Sequence, residues 1–433
     1  MPEHRDWYKL DLSAIVYPTL QRRDFSSVYR LSVLLKEEVQ PELLQQALDI
    51  TLPRFPTYKA AIRKGLFWRY LEPNHRPGPF VQPDVKNPCQ PMSFKDNNRY
   101  LVRVYYYHNR ISLEAHHSLG DGTGGMCVLQ TLTAEYLRLL GHVEIENGGF
   151  VLDVNAKPDP EELEDAYMRY ANSKICPPRP GEKTYRIRGT KEPFYTLNII
   201  DGIMSTAEVS AAAKRYGASI TEYLNAVLLY ALKKKQEKDK RLFRLRPVKI
   251  AMPVNLRRFF PSKTLRNFIT MIYPGIDPRL GEYTFEEIVT QVHHYMRYYV
   301  NDKFLRADVT TNARTQSHPL IRIVPLYLKD FVVKQFYARV QDRNSSAGLT
   351  NMGALYVVPS MRPYIERFDI CMGQPFSTRT NCAIISFGDV LTINFASSIV
   401  ETDVERYFFR KLVKDGIHVK IESNREVPEP EMI

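Results

Sequence analysis

The chain has 433 residues, 44% of them hydrophobic and 25% charged, with a net charge of +12. That length is too great for one compact core and suits two domains of about 200 residues each, with the composition of a soluble globular protein that needs no disulfide or metal to build its core. No stretch approaches the ~20 uninterrupted apolar residues of a membrane-spanning helix, and the charged start Met1-Pro2-Glu3-His4-Arg5-Asp6-Trp7 lacks the apolar region of a secretory signal. Pro41 at a helix start, with Leu43, Leu44, Ala47 and Leu48 at helical spacing, predicts a helix ending before Pro53. Tyr100 to Tyr107 has strand composition. His108-Asn109-Arg110 turns it into a second strand, Ile111 to Ala115, which runs straight into His116 and His117. Met126 to Leu140 reads as a helix, with Leu129, Leu132, Tyr136, Leu139 and Leu140 on one side.

From about Gly141 to Thr196 the pattern loosens around Pro158, Pro160, Pro177, Pro178 and Pro180, although Glu161 to Ser173 has helical character. The domain crossover is placed here, giving residues 1–185 and 186–433. Ser205-x-x-Glu208 and Ser219-x-x-Glu222 then predict two capping boxes, the second opening an apolar helix through Leu224, Val227, Leu228 and Leu232. A strand near Val248–Val254 follows, then a helix from Thr284 capped by Glu287. Ala383–Ser386 and Leu391–Phe395 read as strands joined by a turn at Gly388, and a last helix opens with Thr402-x-x-Glu405. The alternation predicts an α/β protein with mixed sheets.

Cys89, Cys127, Cys176, Cys371 and Cys382 are odd in number, scattered and never in a C-x-x-C arrangement. This argues against a disulfide framework and a zinc site, and fits a reducing cytoplasm. The positive charge invites nucleic acid as a partner, but the cations are mostly dispersed. The densest run, Lys233-Lys234-Lys235 with Lys238, Lys240 and Arg241, follows an apolar helix. Cations there complement the helix dipole, so no nucleic-acid partner is expected, and an anionic ligand or an acidic carrier protein is the remaining use for the charge.

Neighbouring residues of an extended segment point to opposite faces, so His116 and His117 cannot both face one site. One can face a cleft while the other packs behind it. Asp121 follows a turn at Gly120, and Gly122, Gly124 and Gly125 permit close backbone approaches. A neutral imidazole suits proton abstraction from a hydroxyl, thiol or amine. On residue chemistry alone, a lone histidine is more often structural than catalytic. A metal site is the poorest match, because the adjacent histidines diverge and no third ligand is evident.

The string His116-His117-Ser118-Leu119-Gly120-Asp121-Gly122 matches the HHxxxDG signature and resembles the chloramphenicol acetyltransferase-like superfamily. That group includes coenzyme A-dependent acyltransferases, plant acyltransferases and the condensation domains of peptide synthetases. Met252-Pro253-Val254-Asn255-Leu256-Arg257 with Leu265-Arg266-Asn267-Phe268 is similar to its second conserved region. Leu349-Thr350-Asn351-Met352-Gly353 is similar to its SN-x-G strand. The opening Trp7-Tyr8-Lys9-Leu10-Asp11, then Arg54-Phe55-Pro56 and Gly65-Leu66-Phe67-Trp68, resemble the bacterial alcohol acetyltransferase branch. The D-F-G-W-G motif of the plant enzymes is missing, and Ser386-Phe387-Gly388-Asp389 reads as a hairpin turn instead.

The resemblance implies two chloramphenicol acetyltransferase-like lobes around a central channel, with His117 mid-channel as general base. His117 takes the acceptor's proton as the acceptor attacks an acyl thioester, without an acyl-enzyme. His116 is the second motif histidine. Asp121 pairs with Arg257, or with the adjacent Arg258, to hold the loop. Gly122 allows close backbone approach to substrate. Thr350 or the Asn351 amide stabilises the oxyanion, unless these residues serve only a turn or strand packing. No cofactor is held permanently and no metal is used; the co-substrate is a coenzyme A thioester, or a phosphopantetheine thioester on an acyl carrier protein. The acceptor is an alcohol or an amine. An alternative from another class is a non-catalytic docking or scaffold descendant of the same fold.

Overall fold

The computed structural model describes residues 7–21, 25–175, 182–193, 196–239, 245–317, 323–339, 344–373 and 378–425. Cys176, Pro177, Pro178, Pro180, Lys240 and Arg241 lie outside the described residues. Two hydrophobic cores organise two lobes. The first is built on a five-stranded sheet in the order Ile365–Met372, Val28–Leu35, Arg110–His116, Val102–Tyr107, Val81–Pro83. All its pairs are antiparallel except the last. Val28–Leu35 is buried along its whole length although it carries Arg30 and Ser32. Its register explains how: Arg30 lies opposite Glu114 and Ser32 opposite Ser112. Arg30 Nη2 donates to Glu114 Oε1 at 2.8 Å, and the two serine hydroxyls bond at 2.8 Å, so these polar side chains pair across the strands.

The second lobe carries an eight-stranded mixed sheet running Ile269–Ile272, Val248–Asn255, Ala347–Ala354, Thr380–Phe387, Val390–Ser397, Asn198–Ser205, Lys420–Ser423, with Gly275–Ile276 beside Val248–Asn255. Ala347–Ala354 is parallel to both of its neighbours. The helix Ile220–Asp239 packs with Asp403–Lys414 and Phe285–Tyr299 in this lobe. After Ala354 the chain leaves the large sheet, enters the first lobe as Ile365–Met372, and returns as Thr380–Phe387. The second lobe therefore lends a strand to the sheet of the first.

Several local expectations are met in detail. Thr284 and Glu287 form a reciprocal capping box, and Ser219 and Glu222 form another. Gly388 turns the final hairpin at φ +58. Other expectations are corrected. Ser205 accepts from the Glu208 amide, but the Glu208 carboxylate bonds to His418 rather than reaching back. Thr402 makes no side-chain cap, and Glu405 is buried beside Thr380. Residues 161–173 are not one helix: a 3-10 turn at Pro160–Leu163 and a short helix at Ala166–Tyr170 replace it. The carbonyls of Glu162 and Glu164 accept from Leu265 N and Thr264 Oγ1, so tertiary bonds displace the helical ladder. Lys233, Lys235 and Lys238 lie within the helix, not after it, and pair with Glu237 and Glu282, with Asp239 and Asp403, and with Asp403 respectively. Among the described residues, no helix is long and apolar enough to cross a membrane.

The helix after the histidine loop starts at Gly122, four residues ahead of Met126, because its first turn is glycine-rich and lies against the other lobe. A Cβ at Gly124 would stand 1.9 Å from the Leu265 carbonyl oxygen, and one at Gly120 only 2.4 Å from it. Backbone cannot yield there as a side-chain tip would. Gly124→Ala is expected to lower stability by about 1–3 kcal/mol, the range for overpacking, as read from urea unfolding against wild type.

Candidate active site

His116 and His117 end the strand Arg110–His116 and begin the loop. His116 is fully buried, accepts from the Ser118 amide at Nδ1 (3.2 Å) and meets the Phe94 ring edge-on. His117 points the other way, into a cavity of about 1430 Å³ lined by both lobes. Its ring is stacked on Tyr17 at 4.8 Å and tilted against Tyr29 at 4.6 Å. Its backbone is fixed at both ends: the amide donates to Ser27 O, and the carbonyl accepts from Asn267 Nδ2 at 2.9 Å. Nδ1 of His117 is shut off from solvent, which leaves Nε2 to exchange protons with the cavity.

Burial pushes His117 down to about 4, against the opposing pull of the Asp121 charge, the Asn267 side chain and the Gly120 backbone. His116 falls to about 3, through burial first and then its neighbour His117. Both rings are therefore neutral at pH 7. A neutral imidazole with an accessible Nε2 can accept a proton from a bound group.

Asp121 caps the helix Gly122–Leu139: Oδ1 accepts from the amides of Thr123 (3.1 Å) and Gly124 (3.3 Å). Oδ2 accepts from Arg257 Nη1 at 2.8 Å and the Phe268 amide at 2.9 Å. Arg257 spends its other donors on the Thr264 and Arg266 carbonyls and on Asn255. Arg258, by contrast, is exposed and lines the cavity. The charged partner of Asp121 in the other lobe is thus Arg257.

Gly122, Thr350 and Asn351 all line the same cavity. Space at Gly122 is limited by the Met352 thioether, 2.8 Å from where a Cβ would stand. Asn351 is occupied at both ends, donating to Thr221 and accepting from the Gly353 amide. No hydrogen bond engages the Thr350 hydroxyl among the described residues. The cavity opens where the large sheet parts. Ala347 and Gly348 pair with Ile250 and Ala251, and the ladder ends there. Beyond it, Pro253 and Asn255 from one strand and Leu349 to Met352 from the other face the cavity.

Four residues around His117 escaped the sequence reading of the site. Asn267 and Asp11 stood inside strings already singled out, but nothing marked them as neighbours of the loop. Asn267 Nδ2 bridges His117 O and Asp11 Oδ2, and buried Asp11 also holds the amides of Ser13 and Ala14. Burial raises the Asp11 carboxyl, with Arg266 and Asn267 opposing. Tyr17 and Tyr29 carried no signal among the chain's 27 tyrosines.

No protein-family model matches the sequence, and no curated protein matches it either. Solved structures do. TRI101 of F. sporotrichioides, complexed with coenzyme A and T-2, superposes with a TM-score of 0.63 at 13% identity, covering 96% of this chain and 99% of that one. TRI3 trichothecene 15-O-acetyltransferase from Fusarium sporotrichioides gives 0.60 at 12%, covering 94% of each chain. Polyketide synthase associated protein 5 from Mycobacterium tuberculosis gives 0.58 at 13%, covering 93% and 96%. The chain shares their two-lobed fold. The condensation domain of the Monacolin K polyketide synthase MokA has it too, with a TM-score of 0.55 at 10% identity, covering 94% of this chain and 96% of that one.

Two outcomes are expected of the loop. Asp121→Ala strips the acceptor from Arg257, whose side chain is only 10% exposed. It should cost about 3–5 kcal/mol, the usual penalty for half a buried ion pair, measured as a fall in unfolding free energy. The second concerns pH. The folded His116 value lies below its unfolded value of about 6.5, so between those values the unfolded chain binds the extra proton and His116 destabilises the fold as pH drops. Asp165, Asp201 and Glu405, each raised to about 7, act in the opposite sense. The comparison must therefore isolate His116. The stability lost in His116→Asn should shrink by about 1.4 kcal/mol per pH unit as pH falls from 6 to 4, in urea titrations of both chains.

Proposed function

We propose that the protein is an acyltransferase in which His117 acts as general base, moving an acyl group such as acetyl from coenzyme A to an alcohol. The observation that carries this reading is one neutral imidazole, fixed through its backbone at both ends, facing a cavity of about 1430 Å³ lined by both lobes. Acyl transfer by direct attack asks for little else from the protein. The acceptor hydroxyl must lose a proton as it adds to the thioester carbonyl, and alignment of both reactants in one tunnel supplies much of the rate. Residues 1–185 and 186–433 are taken as the two lobes, with Ile365–Met372 lent by the second to the first.

In this mechanism His117 Nε2 takes the hydroxyl proton and returns it to the departing thiolate when the tetrahedral intermediate collapses. The acyl C–O bond forms in the addition step, and the C–S bond breaks when the intermediate collapses and the thiol leaves. Asp121 and Arg257 do not touch the substrates; they hold the loop that orients the ring. Thr350 is the better donor for the oxyanion, because the Asn351 side chain is already engaged at both ends. The names of structural neighbours agree with this class: one is an O-acetyltransferase, and another was crystallised with coenzyme A. The alcohol acetyltransferase character rests on the sequence strings around Trp7, Arg54 and Trp68. A second donor is kept because a condensation domain shares the fold: an acyl group on a carrier-protein phosphopantetheine arm.

The test is thiol release from acetyl-coenzyme A across a panel of alcohols and amines. Wild type should release thiol only with an acceptor present. His117→Ala should lose about 10²–10⁴-fold in kcat while keeping its melting temperature. The wild-type rate should stay level as pH is lowered to about 5 and decline towards pH 4, where His117 protonates. Release that persists undiminished in His117→Ala overturns the assignment of the base. No release from acetyl-coenzyme A with any acceptor, but transfer from acyl-pantetheinyl carrier protein, moves the donor assignment to the carrier. Failure with both donors leaves the scaffold reading.

A further inference from the structure

Over residues 327–332 the helix Leu326–Arg339 turns polar side chains inward and apolar ones outward. Its polar residues Lys329 and Asp330 face the protein: Lys329 Nζ donates to Phe67 O at 2.8 Å, and Asp330 forms a two-pronged ion pair with Arg69 at 2.8 and 2.5 Å. Tyr327, Leu328, Phe331 and Val332 recur at i, i+1, i+4 and i+5, which places them along one stripe of the helix. That stripe faces solvent, with Tyr327 70%, Phe331 62% and Val332 62% exposed. An amphipathic surface helix ordinarily presents the opposite face.

The stripe continues onto a second element. The tight turn between Ala60–Lys64 and Arg69–Pro73 carries Leu66, 71% exposed, and Trp68, 52% exposed. Leu66 O accepts from the Leu326 amide at 2.8 Å, which locks turn and helix side by side. Ile323, just ahead of the helix, is exposed as well. A contiguous apolar patch of this kind, rich in aromatics, marks an interaction surface.

Charge narrows the choice of partner. The two carboxylates on these elements are both neutralised, Asp330 by Arg69 and Glu72 by Arg63. Lys64 and Lys334 remain exposed at the rim, Lys334 within electrostatic reach of Asp330. Trp, Tyr, Phe and Leu with lysines at the edge match the interface of an anionic bilayer, where apolar rings enter the headgroup region and ammonium groups stay with the phosphates. We propose that this patch seats the protein on an anionic phospholipid surface.

The seat adjoins the cavity. Asp330 also accepts from Thr19 of the short helix Tyr17–Leu20, and Val16, Tyr17 and Leu20 line the cavity wall. Docking on lipid thus holds the membrane on the far side of the helix that braces this wall of the cavity. The proposal concerns binding and stands apart from the acyl-transfer reading.

The test uses the full chain and vesicles of phosphatidylcholine and phosphatidylglycerol in a two-to-one ratio. Trp7→Phe leaves Trp68 as the only tryptophan, an internal probe in the patch. Saturable co-sedimentation with a blue shift of Trp68 emission is expected. The double variant Phe331→Asp, Val332→Asp should lose at least about tenfold in partition with unchanged circular dichroism and melting temperature. High salt, or phosphatidylcholine alone, should also weaken it. Absence of partition, or partition undiminished in the double variant, overturns the proposal. So does concentration-dependent self-association that the double variant abolishes, which would assign the patch to a second copy of the chain.

Discussion

A helix beginning at a backbone turn has amides with no partner, and here Asp121 supplies the acceptor while facing the other lobe. One oxygen of its carboxylate takes the first-turn amides of Gly122–Leu139, and the other takes Arg257 and the Phe268 amide. Local capping and contact between the lobes thus run through a single buried group. The glycines beside it let the loop touch the Leu265 backbone, where any side chain would hold the lobes apart. With the loop clamped in this way, the ring of His117 has one place to go.

Burial then decides the chemistry available there. The loop carries two adjacent imidazoles out of water, and both lose the ability to hold a proton near neutrality. Only His117 meets the cavity; His116 is enclosed by Phe94 and the Ser118 amide. The same buried region contains Asp11, raised by desolvation and balanced by Arg266 and Asn267. Asn267 connects that carboxylate to the His117 carbonyl. The support of the loop is therefore polar on every side, whereas the ring itself lies between two tyrosines.

Much of the secondary structure was legible in the residues. The hairpin into His116 and the helix from Pro41 followed from local propensity, and local chemistry agrees with tertiary packing there. Capping boxes show where that agreement stops. Ser219-x-x-Glu222 and Thr284-x-x-Glu287 close as written; Glu222 reaches back with Oε2 while its Oε1 meets His293 at 3.0 Å. Glu208 is drawn to His418, and Glu405 is buried against Thr380, so the identical pattern yields half a box in one case and none in the other. The interrupted helix after Pro160 has a similar origin, since its carbonyls serve Thr264 and Leu265 from the second lobe.

At the candidate site, the sequence alone determined which residue types meet within one short loop: two histidines of opposite direction, an aspartate able to cap a helix, and glycines that allow close approach. Those follow from strand alternation and backbone freedom, which act over a few residues. The resemblance already pointed to His117; only the tertiary structure decided which of two neighbouring arginines reaches Asp121, and that Asn351 is engaged while the Thr350 hydroxyl is not. It alone placed Asp11, Tyr17, Tyr29 and Asn267 around His117, and turned the apolar stripe of Leu326–Arg339 outward. Each of these depends on contacts between segments far apart in the chain, and on burial, which no local pattern of residues encodes.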